Sequence, residues 1–498
     1  MKTVSPGRGG PIRLMLVELT LDEPERQNGV EAYPLLMGLG SMLGWRVSWC
    51  TLGVRYDPTL RYRLPPRDLG ALLAEISRRK PRIIVINEHL QEDQWTRVKA
   101  TRARLVHSSL DEGTLDHFAD FVRQEIPEAA GADLDSPRLF DRIQPEFRRT
   151  ILNKTPWAKL SIIRVVTGMR CSYRTHVAQN PYYRGIVPSA KTMRCSFCDL
   201  RRMAMPLRDE VSFAVRLIEA ACRQRRVEKG REYRFETLGC RLWRRLGEFV
   251  ETLTRRGVRS AELNFMPRFD ELLSAREMIS RCLPLMARGG LAMRLYGMGV
   301  ENFSPAENMR LNKGVTADQV HEATRFMKEM AARWPGTFRL PPGGFSMILF
   351  TPWTTIEDLR INVNNIKRCP MIDPAFALGR RLQLFPGLPV TALAEKDGLV
   401  AAEGSGLFYN SGCIAKVDRQ EIPWRFQHPE VDILWRLALR ISSGHVFLEG
   451  ARSSPPREML DPLSLFRRAI ERAAASAPCR ESPTASRATG AVRRRPAG

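Results

Sequence analysis

Apolar positions along the chain keep two rhythms. Short continuous runs rich in Val, Ile and Leu fit strands buried on both faces, and longer stretches with apolar residues three and four apart fit helices. IRLMLVELT (12–20) is the first strand expected, followed by a helix in GVEAYPLLMGLGSMLG and a second strand in RVSWCTLGV. PRDLGALLAEISRRKP predicts a helix with Leu69, Leu72, Leu73 and Ile76 on one face, and RIIVIN a third strand. Strands alternating with helices imply a parallel, doubly wound α/β sheet. Residues 90 to 150 are polar and helical, with no clear fourth or fifth strand, so this Rossmann-like domain reads as shortened. The rhythm restarts at KLSIIRVV and continues through EYRFET, SAELNFM, LAMRLYGMGV, FSMILF and RRLQLF, each followed by a plausible helix.

Six such units predict a partial (β/α)6 barrel of the TIM type, whose reactive residues belong at the C-terminal ends of the strands. Two helix starts carry a capping signature, Thr316-x-x-Gln319 and Thr354-x-x-Glu357. After the first, Val320, Ala323, Met327 and Met330 keep helical spacing. The expected organisation is a Rossmann-like domain over 1–150, a barrel over 151–398, a small helical C-terminal domain over 399–475 and a disordered basic tail over 476–498.

Composition narrows the setting. The 498 residues suit two or three domains, and 43% apolar residues suffice for sizeable cores. No apolar run is long enough to span a membrane, and the first residues lack a signal-peptide pattern, so a cytoplasmic protein with reduced thiols is expected. The net charge of +24 raises a nucleic-acid partner. Only 12 of the 78 basic residues are Lys, a bias that a GC-rich genome produces by itself, and the excess is scattered outside the tail. A solvated basic surface is the preferred reading.

The chemistry concentrates in GMRCSYRTHVAQNPYYRGIVPSAKTMRCSFCDL. Cys195 and Cys198 sit two residues apart, and Cys171 stands 24 positions upstream of Cys195. Without residues 175–194 the spacing becomes Cys-x3-Cys-x2-Cys, a compact three-thiolate loop right after the first barrel strand. Closing it over the longer span costs about 1.6 kcal/mol of chain entropy, which several iron–sulfur bonds outweigh. Three thiolates suit an iron–sulfur cluster with one open iron better than a structural zinc, which takes four protein ligands. Two alternatives stand: Cys195 and Cys198 as half of a zinc site, or Cys171 as a spectator with His176 or another cysteine in its place. Cys50 and Cys222 read as core, Cys240 as able to reach the barrel mouth, and Cys479 as tail. The inserted loop, with its Asn-Pro and Arg-Gly turns, reads as ordered and beside the three-thiolate site.

The cysteine stretch resembles the radical S-adenosylmethionine (SAM) superfamily, whose signature is Cys-x3-Cys-x-aromatic-Cys; Phe197 fills the aromatic position. GMGVENFSPAENMRLNKGVT is similar to that superfamily's fourth-strand segment, FSMILFTPWTTIEDL to the fifth and LQLFPGLPVTALAEKDGL to the sixth, in order over about 155–400. The resemblance implies a [4Fe–4S] cluster on Cys171, Cys195 and Cys198. The open iron would chelate SAM, which one electron would cleave to methionine and a 5'-deoxyadenosyl radical. It further implies Glu301 at the ribose, Phe197 by the adenine, and Asn264, Glu236 and Arg294 facing the barrel mouth. For the polar residues, a rim hydrogen bond or salt bridge is the plainer alternative.

The N-terminal VELT, AYPLLMGLGSMLGWRV and SWCTLG resemble the cobalamin-binding subgroup, although the Asp-x-His-x-x-Gly motif is absent. Cobalamin is therefore an expected cofactor, with a relic domain covering the barrel mouth as the alternative. The activity so implied is methylation of an unactivated carbon in a natural-product or peptide precursor, fed by a low-potential donor of the flavodoxin or ferredoxin type. The rivals are a cobalamin-independent cyclase or oxidoreductase, an RNA-modifying enzyme of the superfamily, and a non-enzymatic iron–sulfur or zinc module.

Overall fold

The computed structural model describes residues 11–21, 33–56, 62–87, 90–107, 118–126, 129, 134, 138–147, 151–152, 162–167, 173–186, 194–198, 207–224, 232–238, 240–341, 344–401, 421–450 and 461–476. The first sheet contains β1 (Arg13–Leu21), β2 (Arg46–Tyr56), β3 (Tyr62–Arg63), β4 (Ile83–Ile86), β5 (Arg104–His107) and β6 (Ile151–Leu152). Its parallel order is β2-β1-β4-β5, with antiparallel β3 and parallel β6 both on β2. The alternating side chains of β1 explain why it reads as one apolar run. Leu14 and Leu16 join a core with Tyr33, Leu36 and Trp49, while Met15, Val17 and Leu19 pack on the other face with Leu69, Leu72 and Ile76.

The fourth parallel strand, absent from the sequence reading, is β5. Its two apolar residues, Leu105 and Val106, sit between Arg104 and His107, so no hydrophobic run marks it. β6 carries the sheet just past the expected boundary at residue 150.

The segment 139–147 ties this domain to the barrel. Glu146 N–H donates to Pro34 O at 3.0 Å on one side. On the other, Phe147 N–H donates to Gln224 Oε1 at 2.7 Å, Arg216 donates to Phe140 O at 2.8 Å, and the Phe140 ring meets Phe213 edge-on. One apolar core runs through both parts of the chain.

The barrel strands are β7 (Ile162–Val166), β8 (Tyr233–Leu238), β9 (Ala261–Phe265), β10 (Leu291–Leu295), β11 (Gly299–Glu301), β12 (Phe338–Arg339) and β13 (Ser346–Met347). Five form a parallel sheet in the order β7-β8-β9-β10-β12, and β11 pairs in parallel with β13. The fourth expected strand is thus broken into β10 and β11; of the fifth, FSMILF, only Ser346–Met347 pairs as a strand, and β12 was not expected. Gly297 takes a φ of +58° inside that break. The sixth expected strand, RRLQLF, makes only single bridges, Arg381 to Phe350 and Leu384 to Ile422. The barrel is open on that side.

Thr316 and Gln319 form the expected capping box. The second box lies one residue later than expected, on Thr355 and Asp358, because Thr354 Oγ1 accepts from Thr351 N–H instead. The C-terminal helices Pro429–Gly450 and Pro462–Ser476 share the barrel's core: Trp435 and Phe466 both pack on the ring of Phe350. Among the described residues no helix is long and apolar enough to cross a membrane.

Candidate functional site

The Cys195–Cys198 turn lies against the loop that follows β11. Cys198 N–H donates to Cys195 O at 3.2 Å, closing a turn that brings the two residues together. Ser196, fully buried between them, fixes the turn: its N–H donates to Leu311 O at 2.9 Å and its hydroxyl to Arg310 O at 2.8 Å. Val390 N–H donates to Ser196 O from the start of the last barrel helix, Pro389–Lys396. Both thiols are free of disulfides. Cys171 lies outside the described residues, as do its neighbours 168–170 and 172. Cys240 begins a short helix after β8. Cys479 lies outside the described residues.

Within the insertion, the described residues 175–186 form two short 3-10 turns, Val177–Gln179 and Pro181–Tyr183. His176 Nδ1 accepts from Ala178 N–H and caps the first, and Asn180 Oδ1 caps the second. Val177 and Tyr183 are buried with Leu311, Trp353, Leu384 and Leu388, so the insertion shares an apolar cluster with the last barrel units. Tyr183 also donates to Arg310 O at 2.6 Å. The two ends of the insertion meet: the Asn312 amide nitrogen donates to Thr175 O at 3.3 Å and to Arg194 O at 2.8 Å.

Two cations face Cys195. The guanidinium of Arg268, just after β9, places Nη1 3.9 Å from Cys195 Sγ, donates to Lys313 O at 2.9 Å and stacks 4.2 Å from the Tyr173 ring centre. Lys313 is 8% exposed and pairs with Glu301 Oε1 at 2.9 Å. Burial works against its charge, but the negative charges of Glu301 and Cys195 outweigh that and hold the ammonium above its ordinary range. Glu301 adopts a left-handed φ of +63°. Its carboxylate folds back over Gly299, where a Cβ would lie 1.9 Å from Oε1 and would displace it from Lys313. Sequence reasoning did not single out Arg268, Asn312 or Lys313 as site residues, although the Lys-Gly turn that carries Lys313 was visible.

The inner face of the parallel sheet is polar. Arg164, Glu236, Asn264 and Arg294 occupy one row of partner positions across β7, β8, β9 and β10. Glu236 pairs with Arg164 at 3.3 Å. Arg294 grips Glu262 with two bonds of 2.9 Å and donates to Leu340 O, and Arg339 adds a 2.6 Å bond to Glu262. Glu262 is fully buried; burial opposes its charge, and the hydrogen bonds from Arg294 and Arg339 overcome it and hold the carboxyl below the usual carboxylate range. Asn264 is 7% exposed, and its Oδ1 has no partner among the described residues. Phe197 lies partly buried against the cluster of Leu382, Leu384 and Val390.

The structure therefore gathers Cys195, Cys198, Arg268, Lys313 and Glu301 through a chain of contacts, with Phe197 on the same turn. Asn264 stands on the inner face with a free acceptor, while Glu236 and Arg294 stand there in ion pairs.

No protein-family model and no curated protein matches the sequence. Solved structures do match. The cobalamin-dependent S-adenosylmethionine radical enzyme OxsB with aqua-cobalamin and S-adenosylmethionine bound aligns with a TM-score of 0.54 and 12% identity, covering 93% of this chain and 72% of that one. Its selenomethionine-labelled apo form gives 0.53 and 13%, over 93% and 71% of the two chains, and the form with aqua-cobalamin gives 0.52 and 12%, over 93% and 72%. The likeness is one of fold: a doubly wound α/β domain followed by an open parallel barrel, in the architecture of a cobalamin-dependent radical SAM enzyme.

Proposed function

We propose that the protein is a radical SAM enzyme that uses cobalamin to methylate an unactivated carbon of a natural-product or peptide precursor. The observation that carries the radical SAM part is the paired-cysteine turn docked beside Lys313 and Glu301, with the ends of the interrupting loop pinned together by Asn312. Two thiols on one turn beside two cations form a donor set suited to thiolates, and hence to iron–sulfur ligation. Cys195 and Cys198 would hold two irons and Cys171 the third. A [4Fe–4S] cluster bound there supplies the electron, drawn from an external low-potential donor of the flavodoxin or ferredoxin class, that cleaves SAM to methionine and a 5'-deoxyadenosyl radical.

The chain's own groups do the positioning. The unpartnered Asn264 Oδ1 offers a buried acceptor on the inner face, where a bound SAM can supply the donor. Glu301 keeps its carboxylate at the mouth through Lys313 and suits the ribose hydroxyls. Phe197 presents an apolar ring for the adenine. Glu236 and Arg294, both engaged in ion pairs, shape the inner wall.

For cobalamin, the relevant place is the C-terminal edge of the first sheet. Tyr33 fills the space between its helix and β1 and β4, with its hydroxyl donating to Val17 O and Val85 O. Glu18 is buried beside it and accepts from Trp49 Nε1 and Thr51 Oγ1. Tyr33 and Glu18 are satisfied by the protein itself, so a corrinoid would rest on this edge of the sheet and not between helix and sheet. Purified without oxygen and reconstituted, the protein should carry about four irons and four sulfides per chain and release 5'-deoxyadenosine from SAM. A cobalamin absorption spectrum, and methyl transfer from labelled SAM to a precursor, test the finer part. No cluster and no SAM cleavage in a well-folded preparation would end the proposal.

A further inference from the structure

The insertion leaves the first arm of the cysteine motif far along the chain from the second. Some group outside the motif must hold the arms in register, and two side chains sit where that is done. Asn312 lies on the turn that follows the short helix Pro305–Arg310 and is 5% exposed. Its left-handed φ of +47° is one that asparagine tolerates. Its amide nitrogen donates to the carbonyls of Thr175, on the first arm, and Arg194, beside Cys195. Its Oδ1 accepts from Asn180 Nδ2 at 3.2 Å, inside the insertion.

Arg268, bonded to Lys313 O beside Asn312, also reaches both arms. Its plane stacks on Tyr173, two residues past Cys171, and Nη1 approaches Cys195 Sγ. Tyr173 itself is seated on the same turn: a Cβ on Gly314 would come within 2.5 Å of the Tyr173 hydroxyl. So the turn 310–314 and Arg268 together contact both arms.

We infer that Asn312 and Arg268 are positioning residues that reassemble the interrupted cysteine motif, and that cluster retention depends on both although neither is a ligand. The inference rests on the cluster reading above. Asn312 supplies geometry, since one amide nitrogen shared by two carbonyls keeps the ends of the insertion adjacent. Arg268 supplies geometry and charge, since a guanidinium beside a thiolate favours the electron-rich cluster.

The test compares the full-length wild type with Asn312→Gly, Arg268→Gln and Arg268→Lys. Glycine accepts the backbone at 312 without strain. Each chain is reconstituted without oxygen and challenged with an iron chelator. Bound iron and sulfide, the electron paramagnetic resonance signal of the reduced cluster and its midpoint potential are measured, with circular dichroism of the apoprotein as the check on folding. Asn312→Gly and Arg268→Gln are each expected to hold the cluster about tenfold more weakly while the apoprotein keeps its helical signal. Arg268→Gln is expected to move the midpoint potential to more negative values, and Arg268→Lys, which keeps the charge, to restore most of that shift but not the retention. Folded variants that retain the cluster and its potential as the wild type does would sink this inference alone. A folded wild type that takes up no cluster would sink the parent reading, and this one with it.

Discussion

The two sheets differ in what their faces meet. In the first, β4 is apolar on both sides and buried throughout, and β1 from Leu14 to Leu19 is apolar but for the buried Glu18, which Trp49 and Thr51 satisfy, because helices or the barrel cover each face. In the barrel sheet, β9 turns Leu263 and Phe265 to the helices, where Phe265 meets Trp243 and Phe249, and turns Glu262 and Asn264 to the inside. A parallel strand ordinarily carries apolar residues on both faces. A whole row of polar and charged residues on the inner face of the barrel sheet marks where the fold has something polar to hold. The inner face answers in two ways: Glu262 is saturated by its arginines, whereas Asn264 has an acceptor to spare.

If that contrast is sound, the two sheets should break differently. Glu262→Gln leaves Arg294 and Arg339 facing a neutral amide in a buried site and is expected to destabilise by about 3–5 kcal/mol. Leu16→Ala, in the fully buried first sheet, is expected to lose about 3 kcal/mol through cavity formation. Urea unfolding should separate them by pH. Because the Glu262 carboxyl titrates below its unfolded range, its contribution is present above the ordinary carboxylate pKa and fades as pH falls through the lower folded value. The cavity in Leu16→Ala has no such dependence. Equal pH profiles for the two variants would remove the ionic character claimed for the inner face.

The same contrast explains what the sequence disclosed. β1, β2 and β4 were legible because burial on both faces writes a continuous apolar run. β7 to β10 were legible because their outward residues still alternate. β5 escaped notice because only Leu105 and Val106 are apolar in it. The interruption at 296–298 split one expected strand in two, and of FSMILF only Ser346–Met347 pairs as a strand. In the site, Cys195, Phe197, Cys198 and Glu301 stood out through their spacing in recognisable segments. Arg268 and Asn312 did not, since their partners at Cys195, Thr175 and Arg194 lie 73, 137 and 118 positions away, and no local pattern reports a contact that distant. Asn264 stood out by resemblance, but its unpartnered oxygen is visible only once β9 is folded.

A second buried carboxylate sharpens the comparison with Glu262. Glu307 is fully buried, paired with a single arginine, Arg310, and with the Thr351 hydroxyl. Burial dominates there and pushes the carboxyl up to about 7, against the pull of Arg310 and Thr351. The sign is the reverse of that at Glu262. A carboxyl raised on folding contributes stability below its unfolded pKa, and that contribution declines as pH climbs from about 4.5 to about 7. Wild type should therefore lose about 3 kcal/mol over that window on this account, and Glu307→Gln should abolish that slope. Unfolding midpoints of the two chains at pH 5 and pH 7.5 decide it; parallel profiles would mean that one arginine suffices to keep the carboxylate charged.

The smallest effect is expected at Asn264, and it separates a structural polar residue from one kept for a ligand. Thr237 Oγ1 bonds the Asn264 backbone carbonyl, not its side chain, so truncating the side chain leaves that contact intact. The side-chain oxygen makes no bond among the described residues, so Asn264→Ala should change unfolding free energy by less than about 1 kcal/mol. If the acceptor is reserved for SAM, the variant should bind SAM about tenfold more weakly, which corresponds to about 1.4 kcal/mol for one lost buried hydrogen bond. Calorimetric titration of the reconstituted protein with SAM measures the second quantity, and urea unfolding the first. A stability loss as large as that of Glu262→Gln, with SAM binding unchanged, would place Asn264 with its ion-paired neighbours and leave the inner face as a wall.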